Sequence, residues 1–342
     1  MVGLIGVVGG LAPIVMANRY YTFDAYSHYG LPASLSAALL VVALLQSISA
    51  PHIRRALLAI LIACSTLTHY AVATVAANEQ AIIRRFWWQV AWRAPSILPG
   101  TTLLVEYPVS YYGEDLEIVW GPANFLYGIE KTDLFPTWYK LSAVPVREDA
   151  LREIIVGLNF GPVTYRTHGM HVDYGNLLVI SQTAPEGCVH AMTGYPPRIS
   201  SQESSEIALV AHRSNRNNNI QVDGDPREPP VLIFGPEPTH DWCYSYEKAE
   251  LALQRGEMEE VASLGIQAER LNEAPVDTVE WMPFIQAYAF LGDEQRIEDL
   301  GSRLSADAFQ RQQACRILSE MPERGFQLSQ RMATIAFNQF CD

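Results

Sequence analysis

Apolar residues crowd the first 77 positions of the chain, and the three runs they form set the first expectation. Residues 2–17 are apolar and rich in glycine (Gly3, Gly6, Gly9 and Gly10). This run is shorter than the ~20 residues needed to cross a ~30 Å hydrocarbon core. No positive charge precedes it and residues 13–17 make a poor cleavage site, so it reads as a shortened spanning helix rather than a signal peptide. Its glycine face lets a second helix approach closely. Residues 31–49 form the second run, with Pro32 at the start, where a helix tolerates proline. Residues 50–55 read as a tight turn. Residues 56–77 form the third span, whose Ser65, Thr66, Thr68 and His69 suit hydrogen bonding between helices, with a functional intramembrane His69 as the sharper alternative.

The pattern changes at residues 78–100, which read as a collar between anchor and soluble chain. Asn78 is a good N-cap. Ile83, Phe86, Trp87 and Val90 then fall at i, i+3, i+4 and i+7 and make one apolar stripe. Trp88 and Trp92 pair on its flank, Arg84, Arg85, Gln89 and Arg93 lie mostly off it, and Pro95 and Pro99 end the helix. Aromatic residues with arginines beside them suit the plane of a membrane interface. The expected interfacial residues are Arg84, Arg85, Phe86, Trp87, Trp88, Trp92 and Arg93, and a helix packed beneath the soluble domain is the alternative cover for the same stripe.

Beyond the collar, residues 101–240 predict a small α/β module, mostly β. Strands are expected at 101–109, 151–160, 164–174, 177–183, 188–192, 206–212 and 231–234, with a helix or turn region at 115–127 and a loop at 213–219. From Asp241 the period becomes helical. Helices are expected at 241–255, 257–272, 276–291, 293–304, 308–319 and 327–340, with Gly256 and Gly292 closing the first and third. Gly256, Val261, Leu264 and Gly265 recur at Gly292, Ile297, Leu300 and Gly301, a constant offset of 36 residues. That is near the tetratricopeptide period of about 34 residues, in which helix pairs stack because neither buries its face alone. The expected organisation is therefore a three-helix transmembrane anchor at 1–77, an interfacial amphipathic collar at 78–100, an α/β module at 101–240 and a TPR-like α-helical hairpin array at 241–342.

Charge sharpens this division. Only 18% of the 342 residues are charged, against about 25% in ordinary soluble domains. The deficit lies in residues 1–77, whose formal charges are Arg19, Asp24, Arg54 and Arg55. From 101 onward the chain holds 18 Lys and Arg against 35 Asp and Glu, a net −17. So acidic a domain is a poor match for nucleic acid, whose phosphates must be neutralised by cations. The lipid bilayer is the first expected partner. Arg54 and Arg55 in a short turn place that turn in the cytoplasm and the C-terminal domain outside, whereas Arg84, Arg85 and Arg93 pull the other way. If the domain is outside, one or two disulfides are expected among Cys188, Cys243, Cys315 and Cys341; four cysteines permit three full pairings, and spacing does not choose between them.

Candidate chemistry is sparse. His168, His171 and Asp173 invite a metal reading, but on a strand His168 and His171 point opposite ways. Cys188 and His190 share a face, which permits a Cys–His couple, and Asp115 with Glu117 permits an acid pair. Asp24 lies in a loop between spans, where packing within the loop is one account of it. No phosphate-binding loop, nucleophile elbow or HExxH occurs, and no cofactor is named by the residues.

Several stretches together resemble one group of proteins. They are Tyr26-Ser-His-Tyr-Gly-Leu-Pro-Ala33, Phe86-Trp-Trp-Gln89 with Trp92-Arg-Ala-Pro95 and Pro99-Gly-Thr101, Phe234-Gly-Pro-Glu-Pro238 with Asp241-Trp-Cys-Tyr-Ser-Tyr-Glu-Lys-Ala249, and Glu280-Trp-Met-Pro-Phe-Ile-Gln-Ala-Tyr-Ala289. This text resembles the C-terminal portion of bacterial polytopic membrane proteins similar to GT-C superfamily, protein-mannosyltransferase-like glycosyltransferases. The resemblance implies a bacterial cell-membrane protein with an extracytoplasmic C-terminal domain. It also implies a polyprenyl-phosphate sugar as a candidate ligand, with Asp24 as the catalytic base. Such proteins carry many more spans. The first expectation is therefore a membrane-anchored binding or assembly protein without activity of its own, whose helical domain or spans hold a protein partner. The alternatives are a fragment or split subunit of a polyprenyl-phosphate-sugar-dependent glycosyltransferase, and a structural subunit of a larger membrane complex.

Overall fold

The computed structural model describes residues 2–18, 30–109, 116–128, 141–157, 161–165, 168–192 and 198–341, without the side chains of 161–165 and 168–171. The described chain is mostly helical, with a small sheet, and divides into two compact units, Met1–Gln80 and Ala81–Asp342.

In the first unit, α1 (Val2–Met16) packs on α2 (Leu31–Gln46) through its glycines. A Cβ on Gly10 would lie 2.7 Å from the Ala33 backbone, one on Gly3 3.1 Å from the Ser36 carbonyl, and one on Gly6 would strike the Ser36 side chain. At 15 and 16 residues both helices are short of a bilayer. One helix, α3 (Pro51–Arg93, 43 residues), is long and apolar enough to cross a membrane. Two expectations change here. Residues 51–55 are the first turn and more of α3 rather than a tight turn, because Pro51 opens the helix at a position that needs no N–H donor. Asn78 lies inside the same continuous helix and caps nothing. Thr66 and Thr68 donate to Ile62 and Cys64 carbonyls of their own helix, both at 2.9 Å, so their hydroxyls are used locally.

The second unit begins with the last turns of α3, and here the collar takes a different role. Phe86, Trp87, Trp88, Val90, Trp92 and Arg93 are buried in protein, Phe86 and Trp87 completely. Trp87 Nε1 donates to the Tyr107 hydroxyl at 2.7 Å, and Trp92 Nε1 to Glu237 at 2.9 Å. Arg85 pairs with Asp241 at 2.7 Å, while Arg84 is exposed. The five side chains from Phe86 to Arg93 expected at a lipid interface are therefore core residues. Helical spacing reports that a face is apolar, and it is silent on whether lipid or protein covers it.

What covers it is a sheet. Strands β1 (Ser96–Ile97), β2 (Thr102–Glu106), β3 (Ser142–Pro145), β4 (Gly161–Tyr165), β5 (His168–Val172), β6 (Leu177–Gln182), β7 (Val189–Ala191) and β8 (Ile220–Gln221) are joined by α4 (Leu116–Tyr127), α5 (Glu148–Val156), α6 (Ser205–Val210) and α7 (Arg216–Asn219). The main sheet runs β3-β2-β6-β7, with β2 parallel to both β3 and β6 and β7 antiparallel. Leu103, Val105, Leu178 and Ile180 pack with α3 and α4 on one face. Leu104, Leu177 and Val179 pack with α5 and α6 on the other. Cover on both faces explains why every residue of β6 is buried, as parallel sheets require. The chain leaves β2 for β3 and returns past it to β6, so the strand order reverses between β2 and β6. β4 and β5 make a separate antiparallel hairpin, and β1 pairs with β8.

Three expected strands are helical. Of the expected strand 151–160, residues 151–156 lie on α5, which buries Ala150, Leu151 and Ile154 and ends at Gly157 with φ 77°, and 158–160 lie outside the described residues. Residues 206–212 fall on α6 and a following turn, with Ser204 accepting from the Ile207 amide as N-cap. Residues 231–234 form one helical turn, α8 (Val231–Phe234). Short apolar runs carry no decisive period, so capping settles them.

The remaining helices lie close to their expected bounds: α9 (Trp242–Arg255), α10 (Met258–Arg270), α11 (Met282–Leu291), α12 (Glu294–Leu304), α13 (Ala308–Glu320) and α14 (Gln330–Phe340). Asp241, Asp293, Asp307 and Ser329 cap four of them with side-chain acceptors. Gly256 and Gly292 end α9 and α11 at φ 82° and 81°, where a side chain would be strained. The offset echo has matching structural roles. Val261 and Ile297 are both fully buried, and Gly265 and Gly301 both allow close approach, to Phe284 and Tyr288 in one case and Gln339 in the other. Two disulfides complete the unit: Cys188–Cys243 joins the sheet to α9, and Cys315–Cys341 joins α13 to the residue after α14. Cys64 is free and exposed on α3.

Candidate functional site

A cavity of about 290 Å³ opens between the C-terminal helices α9, α11 and α13 and the α/β layer. α9 contributes Leu253 and Gln254, α11 Gln286, and α13 Arg316, Ile317 and Glu320, with Arg324 in the turn that follows. Arg198, Arg216 and Val222 close it from the α/β side.

Its charged wall is built on Glu250, a buried residue on α9. Arg198 and Arg216 both converge on that carboxylate, Arg216 at 2.6 Å. Arg93, from the end of α3, donates to Gln254 at 2.6 Å one turn further along. Burial pushes the Glu250 carboxyl up, but Arg198, Arg216 and Arg93 outweigh it and hold it at about 2. Burial lowers Arg216 to about 10 despite the attraction of Glu250, so both partners stay charged at neutral pH. Arg93 is also lowered by burial. Glu247, one turn before Glu250, behaves oppositely: burial raises it well above the usual carboxylate range, and Arg93 and His190 offset this only in part. Neither Glu247 oxygen has a hydrogen-bond partner among the described residues.

A second buried centre adjoins the first. His190 on β7 lies 3.6 Å from Glu203 and 3.7 Å from Glu280, distances of ion pairing rather than hydrogen bonding. Burial disfavours its charged form, but the two carboxylates prevail and raise it to about 10. Glu280 also accepts from Trp242 Nε1 at 2.6 Å and from the Cys188 amide at 3.0 Å. The Cys–His couple allowed by alternation is therefore not formed: Cys188 is in a disulfide and His190 is a buried cation, unable to act as a base.

A further cleft, about 830 Å³, lies at the C-terminal end of β2, beside Glu106, Arg147, Arg152 and Glu206. Burial raises Glu106 to about 7, against a hydrogen bond from the Ser204 hydroxyl at 2.9 Å and with added repulsion from Glu203 and Glu206. This is the carboxyl end of parallel strands beside the reversal of strand order, where open α/β sheets place ligands.

The other sequence candidates stay apart. Asp24 and Asp115 lie outside the described residues, as do the side chains of His168 and His171. The Asp173 carboxylate accepts from the Gly175 amide at 2.9 Å and caps a turn. Glu117 sits in the first turn of α4, and His69 on the exposed stretch of α3. Among the described residues, no group of three or more His, Cys, Asp or Glu could hold a metal ion. Arg198, Arg216 and Glu250 converge although no local spacing in the sequence joins them. The available signal was Glu247 and Glu250 falling beside Tyr246 and Ala249 on the apolar side of α9. Compared with family profiles, curated proteins and solved structures, the chain matches none.

Proposed function

We propose that the chain is a membrane-anchored protein that binds a partner through the open part of the inner face of its C-terminal helix pairs, at the cavity left beside the α/β layer, with that unit outside the cytoplasm. The observation that carries this reading is the lining of the cavity: α9, α11 and α13, the first helix of each pair, supply most of its helical lining, with Met258 at the start of α10 beside them. In a TPR-like stack, first helices line the concave surface used for recognition, and the 36-residue echo supports such a stack. Pairing of all four cysteines of the second unit supports an oxidising compartment. In the same reading α1 and α2 accompany α3 as shortened spans, and the chain corresponds to the tail of a GT-C-type membrane protein, acting through binding rather than by its own catalysis.

The test is site-specific photo-crosslinking in native membranes. A cross-linker at Asn217, on the cavity rim, should capture a discrete protein adduct, and one at exposed Asp299 on α12 should not. No adduct at 217, or the same adduct at both positions, refutes the inner-face reading. Sidedness is read separately, by labelling the reduced cysteines of intact cells with an impermeant thiol reagent; protection of all four until lysis refutes the extracytoplasmic placement.

A further inference from the structure

We infer that the arginine-lined cavity holds a small organic oxyanion, a phosphate monoester or carboxylate carried on an apolar stem; this rests on the reading of the inner helix face as a binding surface. Charge comes first. Arg198, Arg216, Arg316 and Arg324 line the cavity, and among the described residues Glu320 is the one acidic residue of its lining. Glu320 is shared between Arg316 and Arg324, as Glu250 behind the wall is shared between Arg198 and Arg216. A cationic concavity thus sits in a chain of formal net charge −13. Such a reversal concentrates anions at that point.

The second observation is a donor without an acceptor. The Arg216 side chain is only 9% exposed, and its Nε has no hydrogen-bond partner among the described residues. A buried charged donor left unmet is costly, and an oxyanion seated against the Arg216 side chain at the cavity wall offsets that cost electrostatically. Guanidinium forks suit phosphate and carboxylate because both present two oxygens at matching spacing.

Size and polarity describe the rest of the ligand. Leu253, Met258 and Phe326 add apolar lining to the same cavity. The volume, about 290 Å³, is at the lower end of the ~300–1,000 Å³ typical of small-molecule sites, so it admits a compact anionic head and a short apolar stem.

Isothermal titration of the full chain in a neutral detergent tests this, with phenyl phosphate and benzoate as probes and benzyl alcohol as the uncharged control. At least one anion should bind, and the alcohol should not. The Arg324 side chain is 58% exposed, so Arg324→Ala should keep the fold and weaken the anion by about tenfold, the equivalent of one charge-assisted hydrogen bond. Glu320→Gln removes the competing carboxylate and should tighten binding, which a merely structural role would not do. Added sulfate should compete in the unaltered protein, a readout independent of any variant. Repeating the titration in nanodiscs with and without phosphatidic acid separates sources: competition assigns the anion to a lipid headgroup, and unchanged binding assigns it to a free molecule. No binding of either anion, or binding indifferent to sulfate and to both substitutions, overturns the inference. If the Asn217 adduct persists in that case, the partner reading stands while the oxyanion falls; anion binding without any adduct keeps the oxyanion and removes the protein partner.

Discussion

Glu250 and Glu247 lie one turn apart on α9, both buried, yet burial and charge drive them in opposite directions, and this contrast gives the sharpest test of the buried cluster. Glu250 is held at about 2 against an ordinary 4.5. At about 1.4 kcal/mol per pH unit, the depression is worth about 3 kcal/mol. The loss expected from removing one partner of a buried ion pair, roughly 3–5 kcal/mol, agrees. Because the native value is lowered, this stability is present above pH 4.5 and is lost as the pH falls towards 2. Glu250→Gln should therefore lower the Tm at pH 7 by roughly 6–12 °C, taking about 2–4 °C per kcal/mol for a unit of this size. It should also flatten the decline of Tm between pH 4.5 and 2. Glu247 has a raised native value, so above pH 4.5 the unfolded chain ionises while the native group stays protonated, and the group costs stability as pH rises. Glu247→Gln, which mimics the protonated form, should melt at or above the parent Tm at pH 7. Calorimetric melts across pH 2–8 decide the matter. Equal shifts for the two variants, or an unchanged acid limb in Glu250→Gln, would refute the charge assignment.

Three further outcomes are expected. Loss of the Cys188–Cys243 disulfide, which closes a 55-residue separation, should cost about 4 kcal/mol, and loss of Cys315–Cys341, with a separation of 26, about 3.5 kcal/mol; melts with and without reductant check this, and native alkylation should modify Cys64 alone. Gly265→Ala should destabilise by about 1–3 kcal/mol, because its Cβ would come within 2.6 Å of the Phe284 ring, whereas Gly301→Ala should cost less because it meets the flexible Gln339 side chain; denaturant titration compares the two. Trp87, Trp88 and Trp92 should resist quenching by brominated lipid in reconstituted vesicles, since all three are buried in protein, and strong quenching would return them to the interface.

How much could be read before the fold was known differs between the two halves of the second unit. The C-terminal helices were legible because their signals are local: Asp241 as a cap, Gly256 and Gly292 as stops, and an apolar period between them. The α/β layer was harder. Residues 148–156, 205–210 and 231–234 are helical segments too short for a period to declare itself, and their caps and neighbours decided them. The cysteines show the same limit: their number allowed three pairings, and only the approach of Cys188 to Cys243 and of Cys315 to Cys341, each at 5.1 Å between Cα atoms, selects one.

The collar and the arginine cavity mark the boundary most clearly. Local order was enough to state that residues 56–77 hold a long apolar helix, that the helical stretch after it bears an aromatic stripe, and that six helices follow Asp241, but not that residues 51–93 run as one helix. It was not enough to state that the stripe faces a sheet, or that Arg93, Arg198, Arg216 and Glu250 share one buried centre. Periodicity records the orientation of neighbours within one element, so it reveals which side must be covered. The identity of the cover, and the charge that burial leaves on each group, depends on residues more than a hundred positions away brought close by packing.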